Sequence, residues 1–360
     1  MNASLPHFAA DVIAQINAPE EKYREAAQRR LDSLTKPLGS LGVLEALAAQ
    51  MYAITGGNLS LPLRRAAYVF AADHGVTEEA VSAYPREVTA QMVHNFLQGG
   101  AAINVLSKAH RVELTVVDVG VDAVFASAPG LVEAKVRRGS RNLLREPAMN
   151  HEELCAALEA GVKLAQSAQA KQQQMIAVGE MGIGNTTAAS AITALLTGLP
   201  VAEVTGRGAG LDDAGRNAKI DVIGRAIERH FPSSGMKADP LEVLRCVGGL
   251  EIAAMTGFIL GAARARIAIM LDGFISTSAA AVAYAMAPQM KDYLFAGHCS
   301  QEPGHQHLLR QLGLRPILSL DMRLGEGTGA VLAMPVLESS LRLFSEMATF
   351  SSAGVSTAAR

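Results

Sequence analysis

The chain contains six short runs of apolar residues, and a polar or charged residue follows each run within two positions. The runs are Ala66–Ala72, Leu114–Val117, Met175–Val178, Ile267–Leu271, Tyr293–Ala296 and Ile317–Leu320. Uninterrupted apolar runs of this length are typical of strands covered on both faces, as in a parallel sheet. Segments rich in alanine and leucine lie between most of them and can form crossover helices. The pattern predicts an α/β fold with a mostly parallel sheet of about six strands and flanking helices.

The polar residues that follow the predicted strands share one property, which is their position at the carboxyl end. They are Asp73, Asp118, Glu180, Asp272, His298 and Asp321. In open α/β sheets this edge is where ligands bind. We therefore expect the functional site there.

Both ends of the chain depart from this pattern. Residues 20–52 are charged and helical in pattern, and another helical pattern begins after Gly329. The two segments can pack together beside the sheet. We expect residues 1–60 with 331–360 to form a small helical domain, and residues 61–330 to form a large α/β domain.

Composition argues against several classes of protein. Of the 360 residues 49% are apolar and only 18% are charged, the formal net charge is −2, aromatic residues make up 4%, and tryptophan is absent. Nucleic-acid binders usually carry a basic excess or aromatic stacking surfaces, so no nucleic-acid partner is expected. Three cysteines without a Cys-x-x-Cys pair argue against a disulfide framework and a structural zinc site.

Targeting and membrane signals are also missing from the sequence. The first residues lack the basic flank and apolar core of a signal peptide. The two uncharged stretches, 181–202 and 273–290, are interrupted by polar residues or proline, whereas a membrane span needs about 20 apolar residues. We expect a cytoplasmic protein with no membrane span.

A glycine-rich segment, residues 179–187, follows the third predicted strand and precedes an alanine-rich helical pattern. Backbone N–H groups and the helix dipole at such a turn bind phosphate, and Asn185, Thr186 and Thr187 can add donors. The segment lacks the lysine of a Walker A loop. A tight strand–helix turn with an Asn or Thr cap is an equally good interpretation of the local pattern.

A second glycine cluster, residues 205–213, is followed by Lys219. It resembles a dinucleotide fingerprint only loosely, because no clear strand precedes it. Its flexible backbone and the lysine suit a phosphate. A solvated helix lysine is the commoner interpretation.

Glu326 lies between two glycines after the last predicted strand, where a helix is expected to begin. The glycines allow a substrate to approach closely, and a carboxylate placed there can accept a proton from a bound base. The alternative is a carboxylate that complements the dipole at the helix N-terminus. The position favours the catalytic role.

Residues 73–92 form a long excursion from the first predicted strand. Its Asp73-His74 pair is compatible with acid–base chemistry, but the chain offers no Gly-x-Ser-x-Gly nucleophile turn. The segment can instead cover a flat aromatic ligand, with Tyr84 as a wall and Gln91 as an amide donor. On the local pattern, a solvated surface loop is the commoner interpretation.

The segment 298–307 contains four residues of types that bind zinc, His298, Cys299, His305 and His307. Their spacing matches no standard site, and Pro303-Gly304 predicts a turn between them. A loop that leads from a strand into a helix is the preferred interpretation. No metal is expected.

Six segments of the chain together resemble one known family. They are KPLGSLGVLE (36–45), ADHGV (72–76), VGEMGIGNTT (178–187), GRGAGLDD (206–213), EPGH (302–305) and LDMRLGEGTGA (320–330). In this order they resemble the nicotinate-nucleotide–dimethylbenzimidazole phosphoribosyltransferases of cobalamin nucleotide-loop assembly. The resemblance implies a homodimer whose large domain has a Rossmann-like sheet, beside a small helical domain.

The resemblance also implies a reaction and its residues. Nicotinate mononucleotide and 5,6-dimethylbenzimidazole would give α-ribazole 5′-phosphate and nicotinate, without a metal, a covalent nucleophile or a redox cofactor. Glu326 would be the general base, and Tyr84 and Gln91 would lie around the benzimidazole. The residues implied for nucleotide binding are Glu180, Gly182, Gly184, Asn185, Thr186, Lys219, Asp272, Ser300 and Gly327.

Two rival functions remain open at this point. An NAD-dependent oxidoreductase would require Gly-x-Gly-x-x-Gly after the first strand, where this chain has ADHGVTEEAVSAYP. A non-catalytic sensor of nucleotides or corrinoid precursors would keep the phosphate loop and would not need Glu326. Tight binding without turnover would favour the sensor.

Overall fold

A seven-stranded parallel sheet organises the computed structural model, which describes residues 6–232 and 238–356. The strands are β1 (Arg65–Ala72), β2 (Glu113–Gly120), β3 (Leu131–Glu133), β4 (Met175–Met181), β5 (Ala268–Leu271), β6 (Leu294–His298) and β7 (Pro316–Leu318). They are arranged in the order β3-β2-β1-β4-β5-β6-β7, and each neighbouring pair is parallel. The predicted α/β fold with a parallel sheet is confirmed.

Helices connect most of the strands within the described residues. They are α1 (His7–Ala14), α2 (Glu21–Ser33), α3 (Val43–Ile54), α4 (Val88–Gln98), α5 (Ala102–His110), α6 (His151–Ala170), α7 (Asn185–Thr197), α8 (Val201–Val204), α9 (Asp213–His230), α10 (Pro240–Val247), α11 (Leu250–Arg264), α12 (Phe274–Met286), α13 (Pro303–Leu312), α14 (Thr328–Glu346) and α15 (Phe350–Ala353). Two short 3₁₀ helices span Gly75–Glu79 and Pro288–Tyr293.

All six predicted apolar runs overlap a strand, and the sheet has one strand more than expected. The additional strand, β3, is three residues long, lies at the edge of the sheet and is not fully buried. Its sequence, Leu-Val-Glu, has only two apolar residues in succession, too short a run to identify a strand. β7 begins one residue earlier and ends two residues earlier than the run 317–320.

Helices cover both faces of the sheet. On one face, Tyr68 of β1 packs on Phe258 of α11, with ring centroids 4.6 Å apart. Val69 points to the opposite face, because successive side chains of a strand alternate. Its partner in β4 is Gly179, which lies against the backbone of Gly327 just before α14. α11 and α14 therefore cover opposite faces.

The two ends of the chain meet beside the sheet. α14 packs on α3 as well as on β4, β5 and β6, and Leu34 forms an antiparallel bridge with Thr349. The Arg30 side chain donates hydrogen bonds to the carbonyl oxygens of Phe344 and Met347. The division into domains 1–60 with 331–360 and 61–330 stays a prediction, and residues 1–5 and 357–360 of it lie outside the described residues.

The strand order creates a switch point between β1 and β4. From there the sheet continues through β2 and β3 on one side and through β5, β6 and β7 on the other. In such sheets the crevice beyond the carboxyl ends of the two central strands is the usual ligand site.

In the part of the chain that the structure describes, no helix is long and apolar enough to cross a membrane.

Close packing of α6 on α11 generates a first prediction. A Cβ atom added to Gly161 of α6 would lie 1.9 Å from the carbonyl oxygen of Ala254 in α11. We expect Gly161→Ala to lower the free energy of unfolding by about 1–3 kcal/mol, because the two helices must separate. Urea denaturation followed by circular dichroism measures this change.

Gly224→Ala is the matched control, because Gly224 lies inside α9 with no heavy atom within 4 Å of the added Cβ. Replacing this helical glycine should raise the free energy of unfolding by about 0.4–1 kcal/mol. Equal stability of the two variants would contradict the proposed helix contact.

Candidate active site

A cavity of about 370 Å³ lies at the carboxyl edge of the sheet, beside the switch point. Residues that follow β1, β4, β5, β6 and β7 line it. Glu180 and His298 are among them. Asp73 and Asp118 are engaged elsewhere at the same edge, because Asp73 lies 3.5 Å from Arg86 and Asp118 lies 2.7 Å from Lys135.

Glu326 lines the cavity and is 5% exposed. Its backbone has φ +65°, a left-handed conformation that is uncommon for a residue with a side chain. Burial is the main cause that raises the pKa of the Glu326 carboxyl. The N–H of Ile103 lowers this pKa, and the negative charge of Asp272 raises it further. The Ile103 nitrogen lies 3.4 Å from Oε2.

Asp272 fixes the backbone that follows Glu326. Its Oδ2 accepts a hydrogen bond from Gly327 N (3.1 Å), and its Oδ1 accepts from Gly329 N (2.7 Å) and Ala330 N (3.1 Å). These are N–H groups at the start of α14, which have no partner within the helix. Asp272 and Gly327 are not among the residues that line the cavity; they hold the loop that does.

Glu180, at the end of β4, is buried beside this loop. Its Oε2 accepts a hydrogen bond from Asn185 Nδ2. Burial, with the negative charges of Asp272 and Glu251 as further causes, raises the pKa of Glu180 to about 8. Glu180 therefore carries a proton at neutral pH, whereas ordinary glutamates are ionised.

The glycine-rich segment forms the turn between β4 and α7. Gly182, Gly184, Asn185 and Thr186 all line the cavity, and Gly184 has φ +95° at the N-terminal cap of α7. The helix N-terminus therefore faces the cavity with its positive dipole end, which attracts an anion. The N–H groups of Asn185 and Thr187 donate to the carbonyl oxygens of Gly182 and Gly184 within the turn.

Lys219 of α9 lies behind this turn. The side chain is fully buried, and its Nζ donates a hydrogen bond to Thr186 Oγ1 (2.7 Å). Burial lowers the pKa of Lys219 to about 8, against the effect of the Glu302 carboxylate. The lysine does not line the cavity itself, so it acts on the cavity through Thr186 and through its charge.

Ser300 and Glu302 line the cavity from the turn after β6. Both are buried. Ser300 Oγ accepts a hydrogen bond from Glu302 N (3.3 Å), and Glu302 Oε1 accepts from Gly208 N (3.0 Å). The second glycine cluster is thereby tied to the cavity wall.

Another part of the cavity wall is apolar. Its members are Val81, Val88, Met92, Ile183, Phe274, Ile275 and Leu324. Tyr84 also lines the cavity and is 54% exposed, at the rim. Gln91 is exposed on α4 and is not among the lining residues; the neighbouring Met92 takes the place expected for it.

Sequence reasoning missed several of these residues. Val88 and Met92 are four positions apart on α4 and share a face, which the apolar spacing could have indicated. It also missed the fully buried pair of His74 and Glu251, whose Nε2 and Oε1 atoms are 2.7 Å apart. The two residues are 177 positions apart in the chain, so no local pattern connects them.

The histidines of segment 298–307 serve different elements. His298 ends β6, and His305 lies in the first turn of α13. His305 Nδ1 accepts a hydrogen bond from Ser300 N, and its Nε2 lies 3.0 Å from Thr277 Oγ1. Within residues 6–232 and 238–356, no group of three or more His, Cys, Asp or Glu is arranged to hold a metal ion.

Comparisons with known proteins identify the family of the chain. A family model described as phosphoribosyltransferase matches residues 16–355. A relative named nicotinate-nucleotide–dimethylbenzimidazole phosphoribosyltransferase from Desulforamulus reducens is 49% identical over 96% of this chain and 98% of its own length. A relative of the same name from Chlorobium chlorochromatii is 52% identical over 96% of this chain and 97% of its own length.

A solved structure is equally similar. It is the crystal structure of the nicotinate-nucleotide–dimethylbenzimidazole phosphoribosyltransferase from Thermus thermophilus. It superimposes with a TM-score of 0.88 at 48% identity and covers 94% of this chain and 100% of its own. The chain therefore belongs to the nicotinate-nucleotide–dimethylbenzimidazole phosphoribosyltransferase family.

Proposed function

We propose that this chain transfers the 5-phosphoribosyl group of nicotinate mononucleotide to 5,6-dimethylbenzimidazole, for the lower nucleotide loop of cobalamin. The products are α-ribazole 5′-phosphate and nicotinate. The observation that carries the proposal is the position of Glu326, a buried carboxylate in a cavity with a helix N-terminus and an apolar wall. These are the three parts that the reaction needs.

In the proposed reaction, one nitrogen of the benzimidazole attacks C1′ of the ribose. The bond from C1′ to the pyridinium nitrogen breaks, and nicotinate leaves with the bonding electrons, so the leaving group needs no proton. Attack on the opposite face inverts C1′ and converts the β-nucleotide into an α-product. Glu326 takes the proton from the second nitrogen of the azole, a step worth typically 10²–10⁴-fold in rate.

The phosphate of the nucleotide is assigned to the turn before α7. Gly182, Gly184, Asn185 and Thr186 surround the N-terminus of that helix, and the buried ammonium of Lys219 adds a positive charge behind Thr186. Ser300 offers a hydroxyl group from the turn after β6, which also lines the cavity. Glu180 holds Asn185 in place through its hydrogen bond.

The benzimidazole is assigned to the apolar wall. Phe274 provides a flat aromatic surface, Met92 provides a further apolar contact, and Tyr84 lies at the rim. Asp272 and Gly327 act on the nucleotide indirectly, since they hold the Glu326 loop. Gln91 reaches the base only if α4 turns, because the side chain is exposed outside the lining.

We also propose a homodimer in the cytoplasm; sedimentation velocity would measure the mass of the assembly.

Replacing the proposed base gives the most direct test. We expect Glu326→Gln to retain nucleotide binding and to reduce nicotinate release at least roughly tenfold, because the amide cannot accept the azole proton. The measurement is nicotinate release from nicotinate mononucleotide with 5,6-dimethylbenzimidazole, followed by identification of the riboside anomer. Glu346→Gln, which replaces an exposed carboxylate at the end of α14, is the control and should leave the rate unchanged.

Three outcomes separate the alternatives. Wild-type protein that binds the nucleotide without releasing nicotinate would support the sensor and end the transferase proposal. Equal rates for wild type and Glu326→Gln would keep the enzyme and remove Glu326 as the base. A β-riboside product would contradict direct inversion.

Lys219 gives a second test, based on pH. Its pKa of about 8 means that the side chain loses its charge as the pH rises through 8. We expect the Kd for nicotinate mononucleotide to increase above that pH, by up to about tenfold per pH unit, because binding then requires uptake of a proton. Isothermal titration calorimetry from pH 6.5 to 9.5 measures this dependence.

Lys219→Ala should weaken binding at pH 7 and reduce the increase above pH 8; the increase that remains is assigned to Glu180, which lies beside Asn185 and whose pKa is also about 8. Lys163→Ala, which removes an exposed lysine of α6, is the matched control and should bind as wild type does. An unchanged Kd in Lys219→Ala would remove Lys219 from the phosphate site.

A further inference from the structure

A fully buried histidine lies behind the cavity wall without lining the cavity. His305 is in the first turn of α13, and its Nδ1 accepts a hydrogen bond from Ser300 N (3.0 Å). Burial is the main cause that lowers the pKa of His305 to about 3, and the nearby His298 lowers it further. The ring is therefore neutral, and because Nδ1 accepts, its one proton is on Nε2. That N–H donates to Thr277 Oγ1 of α12 (3.0 Å).

The backbone N–H groups of the turn 299–302 show what His305 contributes. Cys299 N donates to the carbonyl of Leu318, and Gln301 N donates to the carbonyl of Met322. Glu302 N donates to Ser300 Oγ. Among these four residues, only the N–H of Ser300 donates to a side chain outside the turn. His305 is thus the one side chain outside the turn that holds the N–H of Ser300.

The turn continues into the nucleotide side of the cavity. Because Ser300 Oγ accepts from Glu302 N, its own hydroxyl hydrogen stays available for an acceptor in the cavity. Glu302 Oε1 accepts from Gly208 N, so the same turn holds the glycine cluster next to Lys219 and Thr186. A chain of hydrogen bonds thereby runs from Thr277 through His305 to the cavity wall.

We infer that His305 is a positioning residue for the nucleotide: it fixes the backbone of Ser300 so that the Ser300 hydroxyl donates to the phosphorylated ribose in the cavity. The inference rests on the proposed function, since it takes nicotinate mononucleotide as the ligand. His305 itself touches neither substrate. Its neutral state and its single tautomer keep the acceptor on Nδ1 throughout the neutral pH range.

Two substitutions separate the two ring nitrogens. In His305→Asn, the amide oxygen can occupy the place of Nδ1 and accept from Ser300 N. In His305→Gln, the amide reaches the place of Nε2 and can contact Thr277, but leaves Ser300 N unpaired. We expect the KM for nicotinate mononucleotide to stay close to wild type in His305→Asn and to rise about tenfold in His305→Gln. The KM for 5,6-dimethylbenzimidazole should stay the same in both.

A double variant tests whether His305 acts through Ser300. Ser300→Ala alone should raise the KM for the nucleotide, and adding His305→Gln should raise it little further, because residues in one hydrogen-bond chain are not additive. Effects that multiply in the double variant would overturn the inference. So would equal nucleotide KM values in His305→Asn and His305→Gln, since a merely structural histidine would not distinguish them.

Direct binding separates this inference from the proposed function. Isothermal titration calorimetry with nicotinate mononucleotide needs no turnover. If wild type binds but releases no nicotinate, the transferase proposal fails, and the Asn and Gln variants still decide the role of His305. If wild type turns over and both variants bind equally well, the inference about His305 fails and the transferase proposal stands.

Discussion

The structure of the site depends on the carboxylate of Asp272. It accepts hydrogen bonds from three backbone N–H groups of residues 327–330, so it caps the N-terminus of α14 from outside the helix. Burying a carboxylate is unfavourable unless hydrogen bonds satisfy it, and these three bonds do so. They also hold Glu326 at φ +65°. Without a side chain at Gly179, where a Cβ would lie 2.3 Å from Gly327 N, the backbone of this loop can rest directly on the sheet.

The same arrangement crowds acidic groups around the cavity, and the crowding has a chemical consequence. The charge of Asp272 contributes to the raised pKa of both Glu180 and Glu326. In the proposed reaction, positive charge is on the pyridinium before transfer and on the imidazolium after it, so the Glu326 carboxylate faces a cation until it takes the proton. Once Glu326 is protonated, it no longer attracts a cation. The proton transfer that completes the reaction therefore weakens binding of the products.

Much of the fold and part of the site could be predicted from the sequence. Apolar runs indicated the six longer or more buried strands, and the polar residues after them indicated the edge that carries the cavity. β3 was missed because its sequence has only two apolar residues in succession, whereas the equally short edge strand β7 overlaps an apolar run of the predicted length. Gln91 was named because its side chain is an amide donor, whereas the residues of α4 that line the cavity, Val88 and Met92, are apolar. Asp272 was expected to touch the nucleotide, and its contacts with the start of α14 depend on a fold that brings residues 55 to 58 positions apart together.

A sequence motif identifies candidate residues, but hydrogen bonds between distant segments determine which contacts those residues make. Segment 298–307 suggested zinc ligands by composition, yet Glu302 and His305 contact different partners: Gly208, 94 positions away, and Thr277, 28 positions away. Both contacts converge on the turn that contains Ser300. A nucleotide bound across the cavity would therefore meet two walls that are stiffened separately, one by Asp272 behind Glu326 and one by His305 behind Ser300. Because the proposed inversion at C1′ requires the ribose to stay fixed while the base approaches in line, a displacement of either wall would misalign the reacting atoms.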